Sequence, residues 1–278
     1  MDLNTIEKYL RLGHLDEVQN WQEGWTWLAG GTWLFTEPQP EINTLVDITR
    51  LGWSELEAIP EGLTIGATCT MSQLLSGNYP EDWTSVKALH AAVHELASFK
   101  VQNVATIGGN LCLAIPAGTF APVMVLLGAT YEIVPLQGAP YQIPAAAFQT
   151  GVRKTALKPG ELLRKIWIPQ ENLRWQVSYQ RICVATAGLA VSIVAAAYDP
   201  PTHRVRFAIG AAISAPSLLE FDQVPTASEL AEALDEHLPI NRFLDDGLAS
   251  AAYRQQVTRV LLERSLQEAT NASTSDNA

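Results

Sequence analysis

Cysteine is scarce in this chain. Cys69, Cys112 and Cys183 are the three in 278 residues, far apart and without a Cys-x-x-Cys pair. Neither an iron–sulfur cluster nor a zinc site can therefore be assembled from cysteine alone. An odd number with no secretion signal also argues against a disulfide framework, so each thiol reads as a small buried hydrophobe. Positive charge is short as well: 18 Lys and Arg against 29 Asp and Glu leave a net charge of −11. Nucleic acid and anionic membrane would each select a basic face, and both are disfavoured as partners. Long apolar runs are missing. The longest uncharged ones, "FAPVMVLLGATY" and "AGLAVSIVAAAY", are too short to cross a bilayer as helices. The opening "MDLNTIEKYL" carries no signal-peptide core, so a soluble, cytoplasmic protein is expected. No Gly-x-Gly-x-x-Gly opens a helix and no Gly-x-x-x-x-Gly-Lys-Ser/Thr occurs, which removes the Rossmann and P-loop readings.

What is present is an ordinary globular composition, 47% hydrophobic and 17% charged, enough for one large domain or two moderate ones. Apolar spacing over 3–21 suits short helices, and a strand through Trp27 and Leu28 should run into a glycine pair. "INTLVDIT" and "GLTIGATCT" read as strands, Met71 to Leu75 as a helical turn, and 83–98 as a helix. "NVATIGGNLC" reads as a strand breaking into glycines, 122–127 as a short helix, and "TYEIV" and "LLRKIWIP" as strands. Pro169 is a sensible boundary. Beyond it "WQVSYQRI", "GLAVSIVAAAYD" and "VRFAIGAAIS" are β-rich, with "DPPTHR" a hairpin turn. Helices follow near 228–238 and 250–269, Ser250 serving as the N-cap of the second. Residues 153–181 hold seven of the 18 basic residues, and 220–246 hold eight acids with Arg242 the one basic residue. These read as solvated faces of a hairpin and a helix.

The chemistry concentrates in two glycine pairs, Gly30-Gly31-Thr32 and Gly108-Gly109-Asn110. Glycines after a strand permit positive φ and leave no Cβ in a ligand's way. Successive backbone N–H groups can then converge on an anion. Two such sites point to a phosphate-bearing ligand. Neither pair has a lysine or arginine beside it, so backbone dipoles and hydroxyls such as Thr32 would have to neutralise the phosphates. His90 and His94, four apart on a predicted helix, lack a third ligand and read as surface residues. Trp25, Trp27 and Trp33 read as core packing near the first strand rather than as a stacking surface.

"LAGGTWL" resembles the Ala-Gly-Gly-Thr-Asp-Leu loop, and "NVATIGGNL" the Thr-Ile-Gly-Gly-Asn loop, of the FAD-binding (medium) subunits of molybdenum hydroxylases. That family includes xanthine dehydrogenase, aldehyde oxidoreductase and aerobic carbon monoxide dehydrogenase. "LTIGATCTMSQL", "GAAISAPSLLEFDQVPTASELAEAL" and "ASAAYRQQVTRVLLERSL" extend the resemblance over nearly the whole chain. It implies an α+β protein: a vanillyl-alcohol-oxidase (PCMH)-type FAD-binding domain at 1–169, in two α/β subdomains at about 1–58 and 59–169. A C-terminal α+β domain with an antiparallel sheet would span 170–268, and 269–278 would be a disordered tail. Leu28, Ala29, Gly30, Gly31, Thr32, Trp33 and Leu34 would wrap the cofactor through backbone contacts, as would Thr106, Ile107, Gly108, Gly109 and Asn110. Ala97, Thr119, Leu163 and Leu189 would lie near it. Two positions depart from the pattern: Trp33 stands where the family has Asp after Thr, and Thr119 where it has the Asp of Pro-x-x-Asp.

The resemblance further implies that the flavin carries the chemistry and that no side chain here acts as general acid or base. Electrons would leave an organic substrate at a molybdenum cofactor on one partner subunit and cross 2Fe–2S clusters on a second. They would reduce FAD here and pass to NAD⁺ or another acceptor. Two rival readings share the fold, an FAD-free scaffold within the same complex and a stand-alone FAD oxidoreductase.

Overall fold

The computed structural model describes residues 4–96, 98–185 and 188–275. The first sheet is parallel, with strands β1 (Lys8–Arg11), β2 (Trp25–Leu28) and β3 (Thr44–Asp47) in the order β1-β3-β2. Where the spacing over 3–21 suggests helices, the chain forms β1 and one 3-10 turn at Leu15–Glu17. Tertiary pairing decides this: the Tyr9 hydroxyl donates to the Asp47 carboxylate, and Arg11 Nε lies 3.3 Å from it.

The second sheet is antiparallel. It contains β4 (Leu56–Ile59), β5 (Gly62–Gly66), β6 (Thr130–Val134) and β7 (Tyr141–Pro144), beside the small hairpin β8 (Gln149–Gly151) and β9 (Lys154–Thr155). Strand β10 (Leu162–Pro169) completes it, in the order β4-β5-β10-β6-β7. Between β5 and β6 run α1 (Met71–Ser76), α2 (Val86–His94), α3 (Phe99–Gln102), α4 (Ile107–Leu113) and α5 (Phe120–Leu126). Where "NVATIGGNLC" was expected to be a strand breaking into glycines, 103–106 form a turn and a single bridge at Thr106, and helix α4 begins at Ile107. Thr106 caps α4 by accepting from the Gly109 N–H at 3.0 Å, and Ile107, Gly108 and Leu111 are buried beneath it. A β-capable run of Val, Ala, Thr and Ile thus yields to a cap followed by close packing. Short helices α6 (Ala145–Phe148) and α7 (Gln170–Leu173) link β7 to β8 and β10 to the C-terminal part.

The third sheet, β11 (Gln176–Cys183), β12 (Ala190–Tyr198), β13 (Val205–Gly210) and β14 (Ser217–Phe221), is antiparallel and sequential. Strand β14 escapes sequence reading because Leu219 is its one buried residue. Helices α8 (Ala227–His237) and α9 (Ala251–Ser275) follow. The Tyr253 N–H donates to Ser250 Oγ at 3.3 Å, as an N-cap should. Helix α9 continues to Ser275 where a disordered tail was expected from 269, since no glycine or proline intervenes to stop it.

Every residue of β12 is buried. Val194, Ala196 and Tyr198 join the core under α8 and α9, whereas Ala195 and Ala197 join the large core of the preceding two-thirds of the chain. The period-2 alternation of one strand therefore serves two cores at once. The α+β class holds throughout.

Candidate functional site

Between the first two sheets and the start of β12 lies a cavity of about 810 Å³, within the range of small-molecule sites. It brings together Leu28, Ala29, Gly30, Gly31, Thr32, Trp33 and Leu34 from the loop after β2. Thr106, Gly108, Gly109, Asn110, Thr119, Leu163 and Leu189 line it too. Ile107 does not: it is fully buried in the core, and its N–H donates to the Cys69 carbonyl. Ala97 lies outside the described residues.

The two glycine pairs work differently. Gly31 has φ +64°, a left-handed turn. A Cβ on Gly30 would run into the Val104 carbonyl oxygen, so that glycine permits the two loops to touch. From Gly30 to Leu34 no backbone N–H donates to an acceptor among the described residues. The chain folds back only through the Phe35 and Thr36 N–H groups, which donate to the Gly31 and Trp33 carbonyls. In the second loop the corresponding donors are taken. Ile107, Gly108, Gly109 and Asn110 donate to Cys69 O, Ala67 O, Thr106 Oγ1 and Thr106 O respectively. The backbone clamp expected from both loops is thus available from the first alone, while the second presents a smooth glycine surface and the Asn110 side chain.

Side-chain donors and acceptors in the cavity wait for partners. Trp33 Nε1, Trp27 Nε1, Asn110 Oδ1 and Thr119 Oγ1 are buried without one among the described residues, and buried polar atoms ordinarily have partners. Thr119 precedes α5 with no side-chain capping bond, so its hydroxyl is uncommitted to the fold. Opposite the glycine loop, β10 carries a register shift between Leu163 and Lys165. Bulges of this kind re-aim side chains beside sites. Cys112 also lines the wall, where it is exposed rather than buried as a lone cysteine is expected to be, and Cys183 is only half-buried.

Several lining residues escape a sequence-only reading. Arg153, Lys158, Glu161 and Arg181 reach the cavity from the β8–β9 turn, the following loop and β11. Formal positive charge does therefore adjoin the glycine loops, though it lies more than 100 residues from the first. The one sequence signal was the basic bias of 153–181. Trp21, Trp25 and Trp27 line the same cavity while packing on the small core of Leu12, Val18 and Val46. The core assignment is thus half of their role. Trp21 stacks on Trp27 with centroids 4.3 Å apart. No cluster of three or more His, Cys, Asp or Glu side chains suited to a metal ion is found among the described residues.

The family described as "FAD binding domain in molybdopterin dehydrogenase" matches residues 5–171. The carbon monoxide dehydrogenase medium chain of Afipia carboxidovorans is 26% identical over 269 residues, covering 87% of this chain and 88% of that protein. The nicotine 6-hydroxylase medium subunit of Paenarthrobacter nicotinovorans is 26% identical over 239 residues, with 83% of each chain covered. Xanthine dehydrogenase of Oryza sativa subsp. japonica is 31% identical over 137 residues, which is 46% of this chain and 10% of that much longer protein. The crystal structure of quinoline 2-oxidoreductase from Pseudomonas putida 86 contains a chain of the same fold. Its TM-score is 0.81 at 21% identity, covering 98% of this chain and 99% of that one.

Proposed function

The chain belongs to the family of FAD-binding domains of molybdopterin dehydrogenases, and from that premise we propose that it is the FAD-binding electron-transfer subunit of a multi-subunit molybdenum hydroxylase. The observation that carries the reading is the run of unpartnered N–H groups from Gly30 to Leu34 on the cavity wall. Such a nest suits the diphosphate of a dinucleotide. The chemistry of the other free groups fits FAD as well. The Trp33 and Trp27 indole N–H groups are donors, Asn110 Oδ1 an acceptor and the Thr119 hydroxyl either. Bound FAD supplies the redox chemistry that couples one- and two-electron carriers.

The chain's own part is to bind, orient and shield. Leu28 to Leu34 would hold the phosphates, Gly109 would keep a Cβ out of the flavin's way while Gly108 seats the loop on Ala67, and Asn110 and Thr119 would offer polar groups to it. Leu163 and Leu189 supply apolar walls. Leu189 is 46% exposed, so it is the one most available to a docking subunit. We further propose the division into about 1–58, 59–169 and 170–268; three successive sheets support it, with the first boundary falling ahead of β4, which starts at Leu56. Partners carrying 2Fe–2S clusters and a molybdenum cofactor belong to the same reading, as does a soluble acceptor such as NAD⁺. A cytoplasmic location does too, which three free cysteines favour.

The test is titration of the purified full chain with FAD by calorimetry and flavin absorbance. Saturable one-to-one binding is expected. Absence of binding would leave a scaffold subunit as the better reading.

A further inference from the structure

Arg153 occupies a backbone conformation that its side chain does not favour. It sits at φ +54° in the turn joining β8 to β9, a left-handed position that glycine or asparagine takes with least strain. Its N–H donates to the Ala114 carbonyl at 2.8 Å, which fixes the turn against the end of α4. Strained residues held in place by their surroundings cluster at binding sites. The side chain reaches across the cavity to the loop after β2. Its guanidinium carbon lies 5.9 Å from the Trp33 ring centroid, and Nη2 lies 3.1 Å from Glu37 Oε2. Both partners of that ion pair are about half exposed, so water weakens it. The Trp33 indole N–H, meanwhile, is buried with no acceptor.

The other cations of the lining divide clearly. Arg181 is committed to Glu95 at 2.7 Å and to the Gly188 carbonyl. Lys158 has no ion pair among the described residues. Arg153 links the β8–β9 turn to the loop after β2 through an ion pair that water weakens.

We propose that Trp33 and Arg153 form a clasp over the phosphate-bearing part of the cofactor. The indole N–H donates to it, and the guanidinium exchanges Glu37 for a phosphate oxygen. This rests on the FAD reading above and names which side chains supply charge and a directed donor. Trp33, out of pattern in sequence, then has a role that aspartate could not fill, since an ionised carboxylate has no hydrogen to donate.

Titration of the full chain with FAD at several salt concentrations tests the clasp. Arg153→Ala is expected to weaken FAD by about ten- to a hundredfold, as loss of a charge-assisted bond does, and to flatten the salt dependence. Trp33→Phe keeps the ring beneath Arg153 and removes the N–H, so a loss of several-fold is expected. Glu37→Gln frees Arg153 and should tighten FAD. A purely structural ion pair predicts the opposite sign, so unchanged or weaker binding in Glu37→Gln overturns the clasp, as does wild-type affinity in Arg153→Ala. Thermal melting of each variant, with Arg153→Lys as a gentler substitution, shows that the fold is intact. Should the wild-type chain take up no FAD, the cofactor reading itself falls and the clasp with it. Wild-type uptake with indifferent variants removes only the clasp.

Discussion

A Cβ at Gly30 would collide with the carbonyl of Val104, and one at Gly108 would stand 2.6 Å from that of Ala67. Both glycines therefore permit backbone to meet backbone, and Gly31 alone of the four needs positive φ. Thr119 illustrates a different residue-level constraint. It is 3% exposed, yet its hydroxyl has no hydrogen-bond partner among the described residues. Thr119→Ala should accordingly leave the stability of the ligand-free chain within about 0.5 kcal/mol, because no hydrogen bond is lost. FAD affinity should fall by about 0.5–1.5 kcal/mol, the net worth of an ordinary hydrogen bond. Urea unfolding and FAD titration check the two halves. Lost stability with unchanged affinity would assign the hydroxyl to the fold instead.

Helix α9 docks through apolar and polar groups together: Leu261, Leu262 and Ala269 join the core beneath it, beside buried polar side chains. Arg254, 1% exposed, donates to the Val191 and Ala211 carbonyls at 2.7 and 3.0 Å and pairs with both Asp246 oxygens. Thr258 and Ser192 hydroxyls meet at 2.8 Å, and Ser178 donates to Glu268 at 2.8 Å. Burial tends to raise the Asp246 carboxyl, but the Arg254 guanidinium and the Leu248 and Ala249 N–H groups outweigh it and hold it below its ordinary value. Its contribution is therefore fully present above the unfolded value of ~3.9 and is lost as pH falls through the folded one. Asp246→Asn should flatten that part of the acid-side stability profile. At neutral pH it leaves a buried guanidinium without its counter-charge. The cost approaches the ~3 kcal/mol seen for broken buried pairs, reduced because water reaches the half-exposed carboxylate. Chemical unfolding between pH 6 and 2.5 reads both effects, and an unchanged acid slope would count against the assignment. The capping of this helix by Ser250 was legible in sequence, since an N-cap is local chemistry. Strand β1 and helix α4 were not, since long-range contacts decide each.

At the scale of the whole molecule, the boundary near Pro169 is not a break in packing. Leu173, Trp175, Ala195, Ala197 and Ala208, all beyond it, belong to the same core as Leu63, Ile65 and Ile166. Alanines on that face of β12 let α5 approach the sheet closely, and Gln149 ties the Ala114 carbonyl to that of Ser214 across the join. Ala197→Leu would overpack this seam and should cost about 1–3 kcal/mol. Because the core is shared, calorimetry should show one transition moving as a unit. Two transitions, with only the later one shifted, would mean independent domains. The cavity depends on the same assembly, for its walls come from all three sheets' neighbourhoods.

What the sequence determined by itself was local or compositional: the glycine loops and their order, most strands, and the Ser250 cap. Backbone conformation near Gly31 and Ser250 follows from steric and hydrogen-bonding rules that act over a few residues, so it can be read in order. Only the tertiary structure decided which N–H groups stay free. It left those of Gly30 to Leu34 open and used those of 107–110 internally. It also brought Arg153 to Trp33 across 120 residues. Both outcomes depend on which distant acceptors and charges fold into reach, and spacing along a chain carries no measure of that distance.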